Sequence, residues 1–117
     1  MENSLDVNIL MEACGEDRRV AVELIELFCE TTGPEFSRLE SAAASRDAPT
    51  LRAAAHKCAG SSGTCGMMVL ARRLQELETA SIGGVPKDLH DRLQAINREK
   101  GEIRNLLHKL FQQTFEF

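Results

Sequence analysis

The 117-residue chain has no Trp, no Tyr and only five Phe, so a core must be built mainly from Leu, Ile, Val, Ala and Met. Aliphatic side chains of this kind mesh well between packed helices. No apolar run approaches the ~20 residues that a membrane-spanning helix needs. The opening MENSLDVN has neither the basic stretch nor the apolar stretch of a secretion signal. Basic residues are not in excess, with 14 Lys and Arg against 18 Asp and Glu and a net charge of -4. That argues against a nucleic-acid partner. The four cysteines, at 14, 29, 58 and 65, lack the two-residue spacing of zinc and redox motifs. Each has apolar neighbours, so buried free thiols are expected. Free thiols without an export signal point to the cytoplasm. No Glu stands three residues before any of the three histidines, so the Glu-x-x-His pattern of a metal-binding bundle is missing and no metal site is expected.

What is present is helical periodicity. LDVNILMEA (5–13) reads as a short opening helix ending at Gly15. Asp17 can cap a second helix, with Val20, Leu24, Leu27 and Phe28 as its apolar stripe and Ile25 beside it. Gly33-Pro34 interrupts that stripe before Phe36, Leu39 and Ala43 resume it, which a kinked helix or a helix pair would satisfy. Asp47-Ala48-Pro49 is a turn, and Pro49 can open a helix running through His56 to about residues 63–65, where Gly60, Gly63 and Gly66 weaken it. A further helix covers about 67–81. Residues 82–86 form a loop, and the last helix runs from about 87 to 113. Nothing alternates like a strand. The expected fold is all-α: one domain over 1–117, an up-down-up-down four-helix bundle with a short extra N-terminal helix.

One histidine stands apart. At ~100° per residue, Leu51, Ala55, Cys58, Ser62 and Cys65 share a narrow sector of the third helix, its natural core face. His56 lies roughly 100–160° away from them. Around it on the outer face fall Arg52, Ala59, Gly60 and Gly63. An accessible neutral imidazole is a competent nucleophile near neutral pH. Glycine costs a helix ~1 kcal/mol relative to alanine, so the turn beside His56 gives up stability for room. Arg52 and Lys57 add positive charge suited to a phosphoryl group. Between Arg46 and Arg73 there are five Lys or Arg and one acid, which reads as a basic patch on an acidic protein. His90 and His108 lie in a charged final helix with no such surroundings.

The stretch Ala55-His56-Lys57-Cys58-Ala59-Gly60-Ser61-Ser62-Gly63-Thr64-Cys65-Gly66 resembles the signature of histidine phosphotransfer (HPt) domains. Leu70 to Glu78 is similar to the segment that follows the signature. Leu27 to Glu35 looks like the family's F-x-x-x-x-P-E segment, and Asp47 to Leu51 like its short acidic turn. The likeness covers residues 5 to about 82; the final helix matches only as an amphipathic helix. It implies a four-helix bundle with His56 as an exposed phosphoacceptor and Gly60 as the place where a partner comes close. It also implies a carrier rather than a kinase. Such a domain takes a phosphoryl group from the phospho-aspartate of one receiver domain and passes it to another, with Mg2+ held by the receiver and a hybrid histidine kinase upstream. A monomer is expected. Ala59 departs from the family, which usually has lysine there; Lys57, one residue after His56, can partly supply the missing cation.

Two other functions fit the same residues. A receiver-binding or adaptor module would keep the fold and surface but transfer weakly. The phosphoacceptor domain of a chemotaxis-type histidine kinase would be labelled directly by a kinase domain, although this chain has no glycine boxes for ATP.

Overall fold

The computed structural model describes residues 3–117, and among them all regular structure is helical. The elements are α1 (Val7–Ala13), α2 (Arg18–Ala44), α3 (Ala48–Thr64), α4 (Met68–Ala80) and α5 (Leu89–Phe111). They form the up-down-up-down bundle, with α1 as the short extra helix. α3 packs against both α2 and α4, α5 against α4, and α1 against α2 and α3. No helix among the described residues is long and apolar enough to cross a membrane.

The boundaries follow from caps. The side chains of Asp6, Asp17 and Asp47 accept backbone N–H groups of Ile9, Arg19 and Thr50, opening α1, α2 and α3. Two tight corners set the bundle. After α2, Arg46 takes φ 56, with Arg46 N–H donating to Ala43 O and Asp47 N–H to Ala42 O. After α3, Gly66 takes φ 80, with Gly66 N–H donating to Gly63 O and Met67 N–H to Ser62 O. Both are Schellman closures, in which a left-handed residue satisfies the last carbonyls of a helix and turns the chain back. α2–α3 and α3–α4 are therefore antiparallel hairpins hinged near Arg46 and Met67.

Of the two alternatives at Gly33-Pro34, the single helix is the one formed: α2 runs on through Pro34. Two expectations need correction. The core stripe of α2 is rotated from the one expected. Ala21, Ile25, Phe28, Thr32, Phe36 and Leu39 are buried, while Val20 and Leu27 are 41% and 53% exposed. Counting Val20 and Leu27 as core overlooked Ala21 and Thr32, small residues that let neighbouring helices come close, whereas Leu24 is half-buried and packs against the core. The last helix is shorter than expected at both ends, because Pro86 lies in the connecting loop and Gln112 turns left-handed at φ 51. The chain beyond it folds back: Phe115 is buried and the Phe117 ring packs edge-on against Phe28 at 5.1 Å.

Candidate functional site

The α3–α4 hairpin makes the centre of the site. Met67 stands midway in sequence between His56 and Glu78, and equally between Gly63 and Ala71. Residues equidistant from a tight antiparallel corner face each other across it. The pairs meet accordingly: His56 Nδ1 lies 2.9 Å from Glu78 Oε2, and a Cβ placed on Gly63 would lie 3.9 Å from that of Ala71. The α2–α3 hairpin follows the same rule about Arg46, which lies midway between Glu35 and Lys57. Lys57 Nζ is 3.6 Å from Glu35 Oε1.

The His56 side chain is 73% exposed, and that of Glu78 30%. A carboxylate can only accept, so Nδ1–H donates to Glu78, and in the neutral ring the lone pair is then on Nε2, the nitrogen away from Glu78. An open depression beside the ring is lined by Thr31, Glu35, His56, Lys57, Gly60, Ser61 and Thr64. Nothing lies within 4 Å of where a Gly60 side chain would begin. A second, more apolar groove shares Thr31, Ser61 and Thr64 with the first and continues it to Leu24, Leu27 and Phe28. The Thr64 hydroxyl donates back to Gly60 O at 3.1 Å, and that of Ser62 to Cys58 O at 2.7 Å. Ser62 is thus spent inside the helix, leaving Ser61 on the surface side.

Beneath this face the core is inert. Cys58 and Cys65 are buried, and loss of water pushes both thiols up to about 12. They stay neutral and unreactive at physiological pH.

The sequence-predicted residues divide. His56, Lys57 and Gly60 share one depression. Arg52 is exposed but does not line it. Gly63 is half-buried toward α4. Ala59, expected on the outer face, is only 4% exposed. The reason is that α3 is sandwiched between α2 and α4, so its buried arc is broad and takes in Ala54 and Ala59 beside the narrow sector. The basic stretch also fails to form a single patch. Arg46 sits in a groove at the bundle's end with Lys87 and His90, and Arg72 lies in the α4–α5 groove with Arg92 and within 3.7 Å of Glu76. Clustering in sequence disperses once three successive faces and a corner carry the charges. Glu78, Glu35 and Thr31 were not foreseen as site residues. The signal for the first two was the hairpin symmetry itself, readable once the corners at Arg46 and Met67 are placed.

The fold and site together define a helical bundle that presents one exposed, carboxylate-held histidine beside a glycine. The sequence model of the family described as Hpt domain matches residues 23–113. The chain belongs to that family, and its work is phosphotransfer in a phosphorelay. The match includes α5 and leaves out α1, so the final helix is family structure and not only an amphipathic helix. Among solved structures, the chain is similar to histidine-containing phosphotransfer protein B (HptB) from Pseudomonas aeruginosa PAO1. The TM-score is 0.85 at 24% identity, covering 96% of this chain and 97% of that one. A search of curated proteins returned no match.

Proposed function

We propose that His56 is the phosphoacceptor, taking its phosphoryl group from the phospho-aspartate of one receiver domain and returning it to the aspartate of another. The supporting observation is the 2.9 Å contact between Glu78 and Nδ1 on a ring otherwise open to solvent. Glu78 holds the proton on Nδ1 and aims Nε2 outward. The Nε2 lone pair attacks phosphorus, the P–O bond to the aspartate breaks, and the aspartate departs as a carboxylate. The ring gains positive charge in that step, and the Glu78 carboxylate offsets it. The proton on Nδ1 stays in place, so the product needs no base and the reverse transfer follows the same path.

Gly60 admits the receiver's backbone and the apolar groove around Leu27 takes its docking surface. Arg52 and Gly63 border this face. We assign the Mg2+ of the transfer to the receiver's acidic pocket, and no residue of this chain to a metal. The chain spans one domain over 1–117, works as a cytoplasmic monomer fed by a hybrid histidine kinase, and has no kinase activity of its own.

Incubation with a phosphorylated receiver tests the reading. Wild type gains acid-labile label, and His56→Gln loses at least ~99% of it, as expected when a nucleophile is removed. Label persisting in His56→Gln, or absent from wild type with every receiver tried, ends the reading.

A further inference from the structure

The depression beside His56 is poorly prepared for what the phosphoryl group would bring. A phosphoryl group adds close to two negative charges. Two carboxylates already face the site, Glu78 on the ring and Glu35 in the lining. The cation in the lining is Lys57, and it is engaged, with Nζ 3.6 Å from Glu35 Oε1.

Glu35 is unusual in its pairing. Its second oxygen, Oε2, lies 3.5 Å from Arg38 NH1. That oxygen is buried and makes no hydrogen bond. Glu35 thus sits between two cations, one on its own helix and one on α3. Removal of either leaves the other in place. Lys57 is the more exposed of the two cations, its side chain 61% exposed against 45% for Arg38, and it starts next in sequence to His56.

We propose that Lys57 exchanges partners on phosphorylation: it leaves Glu35 for the phosphoryl oxygens on His56, and Arg38 keeps Glu35 paired. This rests on His56 being the phosphoacceptor. Lys57 then supplies from the first residue after the histidine the charge that the buried Ala59 does not. Glu35 acts as a positioning residue that parks the lysine and weakens its net contribution. The arrangement sets how strongly the domain holds its cargo: a lysine free in the resting state would favour the phosphorylated form more, and a carrier must also release.

The exchange predicts non-additivity. In wild type, removing Lys57 loses a phosphoryl contact but also abolishes the pair that had to be broken, so the two partly cancel. With Glu35 neutralised, nothing cancels. The test uses potassium phosphoramidate with excess ammonia. The donor's P–N bond breaks, a P–Nε2 bond forms, and the donor nitrogen leaves as ammonia. The ratio of phosphorylated to free His56 is read at equilibrium by 31P NMR. Lys57→Gln is expected to lower that ratio about threefold in wild type, the scale of an exposed ion pair. In the Glu35→Gln background the same change is expected to lower it about tenfold, the scale of an uncompensated charge-assisted contact. Lys57→Arg keeps the ratio within about twofold of wild type, because it retains the charge. Equal factors in the two backgrounds overturn the exchange and leave Lys57 a fixed charge. No fall in either background removes Lys57 from the site. Wild type that takes no label on His56 from phosphoramidate defeats the phosphoacceptor reading and this proposal with it. Label from phosphoramidate with none from any receiver defeats only the receiver step, and the cycle still decides the exchange.

Discussion

Gly60 and Gly66 lie within seven residues of each other at the same end of α3, yet the space around them is opposite in kind. At Gly60 a side chain would meet nothing within 4 Å, in ordinary helical backbone. At Gly66 a Cβ would fall 2.5 Å from the Asp6 carbonyl oxygen and 3.4 Å from Leu10 N, at φ 80. One glycine is empty toward the outside; the other is filled from the inside by α1. The contrast separates two uses that a glycine-rich stretch cannot distinguish by composition. Gly66 serves the fold, and nothing in the fold requires Gly60.

The largest effect therefore belongs to Gly66. Gly66→Ala must either leave the left-handed region or push α1 away. Either change disturbs the hydrogen bond from Asp6 N–H to Gly66 O, 2.7 Å long. A loss of about 2–4 kcal/mol in unfolding free energy is expected, from backbone strain added to a clash with a main-chain atom that cannot rotate aside. Urea denaturation measures it. A loss below ~1 kcal/mol would show that α1 yields easily and is not part of the cooperative unit.

Gly60→Ala should act with the opposite sign on the fold. An exposed helical glycine replaced by alanine gains about 1 kcal/mol, because the unfolded chain loses freedom and the helix loses none. If Gly60 is kept for a partner's approach, the more stable protein is the poorer carrier. Transfer from a phosphorylated receiver should slow by about tenfold, the cost of one methyl group in a close-packed contact. Labelling by phosphoramidate, which needs no docking, should hold. Stability gained with receiver transfer unchanged would break the comparison.

How far this was legible in the sequence depends on which physical rule carries each feature. Helix number and order, and the Asp17 cap, could be read because a capping side chain and the apolar spacing act locally, while the Asp6 and Asp47 caps were found only in the structure. The exposure of His56 could be read for the same reason. The status of Ala59, Leu27 and Gly63 could not, since it depends on how many neighbours α3 and α2 have, and a single-helix wheel assumes one. The Glu78 and Glu35 contacts fall between these cases. They are long-range, yet the two Schellman corners fix them by symmetry, so they become readable once the corners are located to within a residue. The basic stretch misled because formal charge was counted along the chain while the helices distribute it over different faces.

The inward and outward contrast extends to charge, and here the expected effect is smallest. Lys57 is exposed and paired; Lys100 on α5 is only 7% exposed, with Nζ 4.1 Å above the Phe36 ring. Loss of water holds the Lys100 ammonium below its ordinary value of 10.5, with attraction to Glu40 opposing that shift. A lysine with a depressed value in the folded state is a liability whenever it is charged. Lys100→Met keeps the length of the side chain and its contact with Phe36 while removing the buried charge. It should stabilise the protein at neutral pH by about 1 kcal/mol or less, since the cation–ring contact is lost in return. The gain should shrink as the solution becomes alkaline. As pH rises through the lowered folded value, the native protein gives up this proton before the unfolded chain does. The unfolded state then binds more protons, and wild-type stability climbs toward that of the variant. Unfolding curves for the two proteins at pH 7 and near pH 10 decide the matter. A difference that stays constant between them would mean that Lys100 reaches water in the folded protein and that its burial carries no electrostatic cost.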